Sequence, residues 1–329
     1  MELKRTAVFM RFKTPFRVGQ RGTTLEETDK IIRSDTLFSA LIWSAYYLGG
    51  LKKANEILEK FLQNKIRISS SFPFIEKKNR LELFFPKLIL PLRKIVESVS
   101  EIKRVKRADL LPKELFEKII NGEKLNEKDI DGLEKKLDEL SRFVKIIARP
   151  RVTLDRVDAS SMLYHAFGMY YGCSEDGASG LYFMLECEEE LFDEIQSLLN
   201  LLRDQGIGGE RTYGWGAFEY TIREIIINVP DEASAYASLS LVSPNKEEWE
   251  RIAGGESNYY SLIIRGGWTI DPQTFKPLRK KSLIMLSEGS VFSFRIEGSI
   301  QDVTPEGFTS HKVYKYGRAF LIPIRIRGD

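Results

Sequence analysis

Three features of the sequence predict an α+β fold: runs with strand periodicity near both ends, amphipathic stretches with helical periodicity between them, and a strand, helix, strands, helix, strand order across the first two thirds. Val8, Met10 and Phe12 alternate with Phe9, Arg11 and Lys13, which reads as a strand ending at Thr14-Pro15. A polar loop, GQRGTTLEETDKIIR, follows. Then SDTLFSALIWSAYYLGG places Leu37, Leu41, Ala45 and Leu48 on one helical face, with Ser34 or Asp35 as N-cap and Gly49-Gly50 as stop.

IRISSSFPFI and LELFFPKL read as strands. Residues Leu92 to Ala148 form a charged, mostly helical insertion, in which LPKELFEKII and DGLEKKLDELSRFVKII carry the helical period. GLYFMLECE resumes the strands, a helix covers residues 190–204, and a closing strand begins at Trp215, Ala217 and Phe218. This order, over residues 1–224, is that of a ferredoxin-like βαββαβ unit. From residue 225 to 329 the pattern begins again: AYASLSLVSP as strand, NKEEWERIAG as helix, then NYYSLIIRGGW, SLIMLSEGSVFSF and RAFLIPIRI as strands.

At 329 residues and 43% hydrophobic, the chain has the material for a large core and more than one domain. A formal net charge of +3 makes no whole-molecule field for nucleic acid, so any such contact rests on local clusters. Cys173 and Cys187 lack zinc spacing and a secretory context, which reads as reduced thiols in a cytoplasmic protein. The longest uncharged stretch, Thr36 to Leu51, falls short of the roughly 20 apolar residues a membrane span needs.

The densest punctuation is RDQGIGGERTYGWGAFEY, with Gly206, Gly208, Gly209, Gly214 and Gly216. A phosphate-binding P-loop needs Lys and then Ser or Thr after its last glycine, where Ala217 and Phe218 stand; the dinucleotide fingerprint needs glycine where Arg211 stands. Both patterns also run from strand to helix, whereas here the helix comes first, so no nucleotide cofactor is expected. Backbone amides and Arg211 remain as anion donors, and Tyr213 and Trp215 as faces on which unstacked bases sit. The same glycines also suit a tight crossover, with both aromatics filling a core.

ARPRVTLDRVDASS carries Arg149, Arg151 and Arg156; in an extended segment Arg149 and Arg151 share a face, the spacing that follows successive phosphates. A charged strand edge has the same pattern. Arg33 and Ser34 stand at a helix start, which suits an anion or ordinary capping. KRVKR (103–107) and KPLRKK (276–281) are basic runs that suit RNA, an acidic partner or solvent.

Several segments together resemble one family. Gly206, Gly208, Gly214 and Gly216 fit the G-x-G-x-x-x-x-x-G-x-G loop of the RAMP superfamily of CRISPR proteins, which have tandem ferredoxin-like (RRM-like) domains. TPFRVG, SDTLFSAL, RVTLDRVDASS, RGGW and HKVYKYGRAFLIPI resemble the fourth-subunit family of the type III-A (Csm) effector complex. The resemblance implies a non-catalytic subunit that grips the repeat-derived 5′ tag of CRISPR RNA, caps the complex beside the large polymerase-like subunit, and meets the backbone RAMP subunit. Glu210 departs from it, being acidic where a basic residue suits RNA.

RAMP endoribonucleases commonly use histidine as acid or base, which makes His165 the candidate for that alternative. Asp29 with Asp35 is the local suggestion of a metal site, and a protein-only structural adaptor is the third reading.

Overall fold

The structure is a computed structural model that describes residues 1–19, 28–78, 80–155, 160–174, 177–255, 257–270 and 276–326. The first strand, β1 (Glu2–Phe12), is central in an antiparallel sheet, flanked by Phe218–Asn228 and Gly177–Cys187, with Phe72–Lys77 beyond the latter. In chain order these four strands stand 4-1-3-2, the order of a βαββαβ unit whose helices are α1 (Ser34–Leu62) and Phe192–Gln205.

Both faces of this sheet are covered. Val8, Met10 and Phe12 pack with Leu37, Leu41, Leu198 and Leu202 of the two helices. Ala7 and Phe9, one residue out of phase, pack on the other face with Phe74, Tyr182, the insertion and the C-terminal region. That is why Phe9, read above among the residues opposite the apolar face, is core: a strand covered on both sides has no solvent face in its middle.

The insertion supplies Leu115, Phe116 and Ile119 from Lys113–Ile120, and Ile130 and Leu133 from Glu127–Phe143. Asn126 caps the latter helix in a reciprocal box with Asp129. The helical stretch ends at Phe143, five residues before the expected boundary, because Val144–Leu154 is a strand paired with Ser161–Tyr171. This long hairpin is here called the arm.

Gly49-Gly50 does not stop α1. The helix kinks there, Gly50 taking a φ of 66°, and continues to Leu62. Leu48, just before the kink, is 50% exposed, while Leu37, Leu41 and Ala45 are buried. Arg33 holds the N-cap position, without a side-chain cap, in place of Ser34 or Asp35.

Among the described residues of 225–326 a three-stranded sheet forms from Ala235–Ser238, Val291–Phe292 and Leu321–Ile324, with one helix, Lys246–Gly254. A repeat of βαββαβ requires a second helix, which these residues do not contain. No described helix is long and apolar enough to cross a membrane.

Candidate nucleic-acid interface

The glycine loop closes on its own backbone and on residues 13–17. After Gln205, Gly206 donates its N–H to Leu202 O at 2.8 Å, Ile207 N donates to Gly216 O at 3.0 Å, Gly209 N to Arg17 O at 2.7 Å and Gly216 N to Pro15 O at 2.8 Å. Gly216 has a φ of 81°, and a Cβ there would lie 2.2 Å from Ile207 O; Gly208 has a φ of 94° and faces Arg17 O at 2.3 Å. These glycines are required by the closure itself. Gly214, with a φ of 80°, has open space where a Cβ would stand, and it lies with Thr212 and Tyr213 at the exposed tip.

Segment 14–17 joins the loop to the arm: Phe16 and Met169 exchange both backbone hydrogen bonds, at 2.9 and 2.8 Å. Gly168 lets the Trp215 ring approach, since a Cβ there would meet it at 2.5 Å. Trp215 is 1% exposed, so its ring fills the core between loop and arm and offers no face to a base. Tyr213, at the tip, is 59% exposed.

The register sets Arg149 opposite Ala166 and Arg151 opposite Tyr164, so both arginines project from the face of the arm that covers the loop. Arg149 lies 5.5 Å from the Trp215 ring, and its Nη1 donates to Tyr213 O at 3.4 Å. Arg151 stacks 3.6 Å from the Tyr213 ring and pairs with Glu210 at 2.8 Å. Glu210 is thus an internal tether for Arg151, and its charge is met inside the site. Arg211 lies 4.0 Å over the ring of Trp43 in α1 and has no ion pair among the described residues. Burial pushes the Arg211 guanidinium down, with Tyr47 pulling it up; burial does the same at Arg17, with Glu210 opposing. Cations held in partial burial favour an incoming anion.

The site therefore gathers Arg17, Arg149, Arg151 and Arg211 around a glycine tip bearing Tyr213. Arg17 and Trp43 were not singled out in the sequence; Arg17 lies in TPFRVG, and only the fold brings Trp43 beneath the loop. Arg156 lies outside the described residues.

Arg33 and Ser34 belong to a different place, the seam between α1 and the C-terminal region. Ser34 is fully buried; its N–H goes to Ser70 Oγ at 2.9 Å, and its Oγ accepts from Leu241 N at 3.1 Å. Arg33 pairs with Asp29 at 2.9 Å and also with Glu288. The helix N-terminus is closed by protein groups, so the expected open anion site at Arg33 and Ser34 is replaced by an internal clamp. Asp29 and Asp35 are buried against Arg33, Arg265 and Lys315, which use their oxygens and leave them no role as an open metal pair.

His165 pairs with Pro150 and stands on the arm's far face, away from the arginines, with the Phe167 ring 6.4 Å away. That face exposes Ile146, Val152, Leu154 and Leu163. In KRVKR, Arg104 is held by Glu134 and Asp131, while Lys103, Lys106 and Arg107 face solvent. In VYKYGRAF, Val313 and Tyr316 are core.

A glycine loop closed onto the end of β1, at one edge of a 4-1-3-2 sheet, is the setting in which the comparisons with known proteins fall. The profile of the RAMP superfamily matches residues 9–219, more than half of the chain, and the chain belongs to that superfamily. Residues 231–324 match the CRISPR Csm4 C-terminal domain. The chain is similar to the CRISPR system protein Csm4 of Methanocaldococcus jannaschii, 24% identical over 99% of both chains, and to that of Streptococcus thermophilus, 27% identical over 92% of this chain and 94% of the relative. In fold it is similar to a chain in the crystal structure of the Csm1-Csm4 cassette in complex with pppApA, with a TM-score of 0.65, 21% identity and coverage of 99% and 100%. A chain of the Csm3-Csm4 subcomplex of the type III-A interference complex gives 0.61, 18%, 97% and 99%.

Proposed function

We propose that this chain is a non-catalytic, cytoplasmic subunit of a type III-A CRISPR effector complex that binds the 5′ tag of CRISPR RNA and caps the complex. Its protein partners in this reading are the large polymerase-like subunit and the backbone RAMP subunit, the kinds of neighbour with which its structural relatives are named. The C-terminal region is read as a second, reduced ferredoxin-like unit.

The observation that carries the RNA reading is the arginine face of the arm. Arg149 and Arg151 lie two residues apart on one strand, Arg211 on the facing glycine loop has no ion pair among the described residues, and Tyr213 is exposed at the tip. Single-stranded RNA offers phosphates at such spacing and base faces for a tyrosine. Recognition is non-catalytic in this reading because His165 stands on the opposite face of the arm from the arginines.

The test uses labelled CRISPR RNA, with and without its tag, mixed with the chain alone and with its large-subunit partner. Tag-dependent binding with intact RNA is expected. Cutting that stops in His165→Ala would make the chain a processing nuclease, and no RNA affinity in either mixture would leave the protein-only adaptor.

A further inference from the structure

Glu210, acidic among the arginines of the site, is held in a conformation that glutamate seldom takes. Its φ is 62°, and among the described residues only Asn64 and glycines share a positive φ. Asparagine and glycine enter that left-handed region readily, and Gly209 stands one position away. The turn that Glu210 begins keeps it there: its carbonyl oxygen accepts from Tyr213 N at 2.9 Å and from Trp215 N at 3.3 Å. Those bonds use the backbone alone, so they account for the conformation and not for the carboxylate.

The carboxylate is accounted for by what it meets. Glu210 Oε2 accepts from Arg151 Nη2 at 2.8 Å, the two side chains being 18% and 17% exposed. Stacking at 3.6 Å on the Tyr213 ring holds the same guanidinium from its face. Arg151 Nε is buried with no acceptor among the described residues, so Glu210 satisfies only part of a group that offers two parallel N–H bonds to a phosphate. Arg17 is close as well: a Cβ at Gly209 would stand 3.5 Å from Arg17 Nη1, and the Glu210 charge favours the Arg17 guanidinium against its burial.

We propose that Glu210 is an internal stand-in for a phosphate, which occupies Arg151 in the free chain and yields it to a backbone phosphate of single-stranded RNA. This rests on the RNA-binding reading above and adds a competitor to it. Exchange is favoured over a permanent tether on two counts. A phosphate gives Arg151 a second acceptor that Glu210 does not supply, and the displaced carboxylate keeps Arg17 as its counter-charge, so no anion is left stranded. Any RNA must break the Arg151–Glu210 pair, which lowers the affinity for all of them and leaves lasting occupancy to RNA that gains further contacts.

The experiment compares wild type, Glu210→Gln, Glu210→Gly, Arg151→Ala and the Arg151→Ala/Glu210→Gln double variant, each as the full chain. Glutamine keeps the size of the side chain without its charge, and glycine suits the left-handed φ, so the carboxylate is removed in two ways. Without RNA, Glu210→Gln is expected to melt below wild type, because Arg151 loses its partner. With tagged CRISPR RNA, both Glu210 variants are expected to bind about tenfold more tightly, with a slope of log affinity against log salt no shallower than that of wild type. Arg151→Ala should weaken binding by a larger factor in the Glu210→Gln background, where no carboxylate competes, than in wild type.

Weaker binding in Glu210→Gln, with a slope shallower by about 0.7, makes Glu210 a fixed support that holds Arg151 for RNA and overturns the exchange, leaving the RNA reading standing. Unchanged affinity in both Glu210 variants, with Arg149→Ala still weakening binding, overturns the exchange in the same way. If none of the proteins binds RNA, the RNA reading falls and the exchange falls with it.

Discussion

Gly216 and Gly214 have nearly the same φ and opposite surroundings, so they separate what the loop needs to fold from what it presents. Gly216→Ala combines a left-handed conformation with a Cβ 2.2 Å from a carbonyl oxygen and should cost at least about 3 kcal/mol. Gly214→Ala carries the conformational cost alone, about 1–2 kcal/mol. Denaturant unfolding of the two proteins checks this, and equal losses would contradict the closed loop. Glycine spacing was legible in the sequence because each glycine marks a local backbone demand. The pairing of Arg151 with Glu210 was not, since the residues are 59 apart and meet only when the arm folds over the loop. Trp215 was ambiguous for a similar reason: an aromatic between two glycines reads alike at a tip and in a core, and the choice depends on Gly168 in another element.

At the scale of elements, the arm is an attachment to a core that does not depend on its outer half. Replacing residues 150–165 by Asn-Gly keeps the Arg149–Ala166 pair and the Phe16–Met169 bridge, and joins the strands by a favoured two-residue turn. Stability should fall by about 1–3 kcal/mol, chiefly from the lost Arg151–Glu210 pair, because the other described side chains deleted are mostly exposed, while RNA affinity falls. Calorimetry and RNA titration on one preparation check both halves. The strand and helix order of the first unit was readable because periodicity is local. The kink in α1 was not, since a Gly-Gly pair marks a stop and a bend alike, and neither was the second buried face of β1, which depends on residues supplied by the insertion and the C-terminal region.

At the scale of the whole molecule, the seam around Asp35 ties the first unit to the last. Lys315 and Arg265 hold the Asp35 carboxyl well below the usual carboxylate range despite its burial. A carboxylate with a lowered folded pKa adds stability above its unfolded value, about 3.9, and loses it as pH falls toward the folded value. Stability should therefore decline below about pH 4, and less steeply in Asp35→Asn. At pH 7 that variant should lose about 3–5 kcal/mol, because Arg265 and Lys315 remain buried without their acceptor. Urea unfolding from pH 3 to 7 measures both effects. No local pattern announces this seam, since its partners lie 230 and 280 residues apart.

In the proposed function, the arginine face of the arm and the glycine loop hold single-stranded RNA through its phosphates. The most direct measurement is the salt dependence of tagged CRISPR RNA affinity for wild type and for the Arg149→Ala/Arg151→Ala/Arg211→Ala protein. The triple variant should bind more weakly, with a log–log slope shallower by about 2, from ~0.7 for each lost single-strand phosphate contact. An unchanged affinity and slope would contradict it and place the RNA contacts elsewhere.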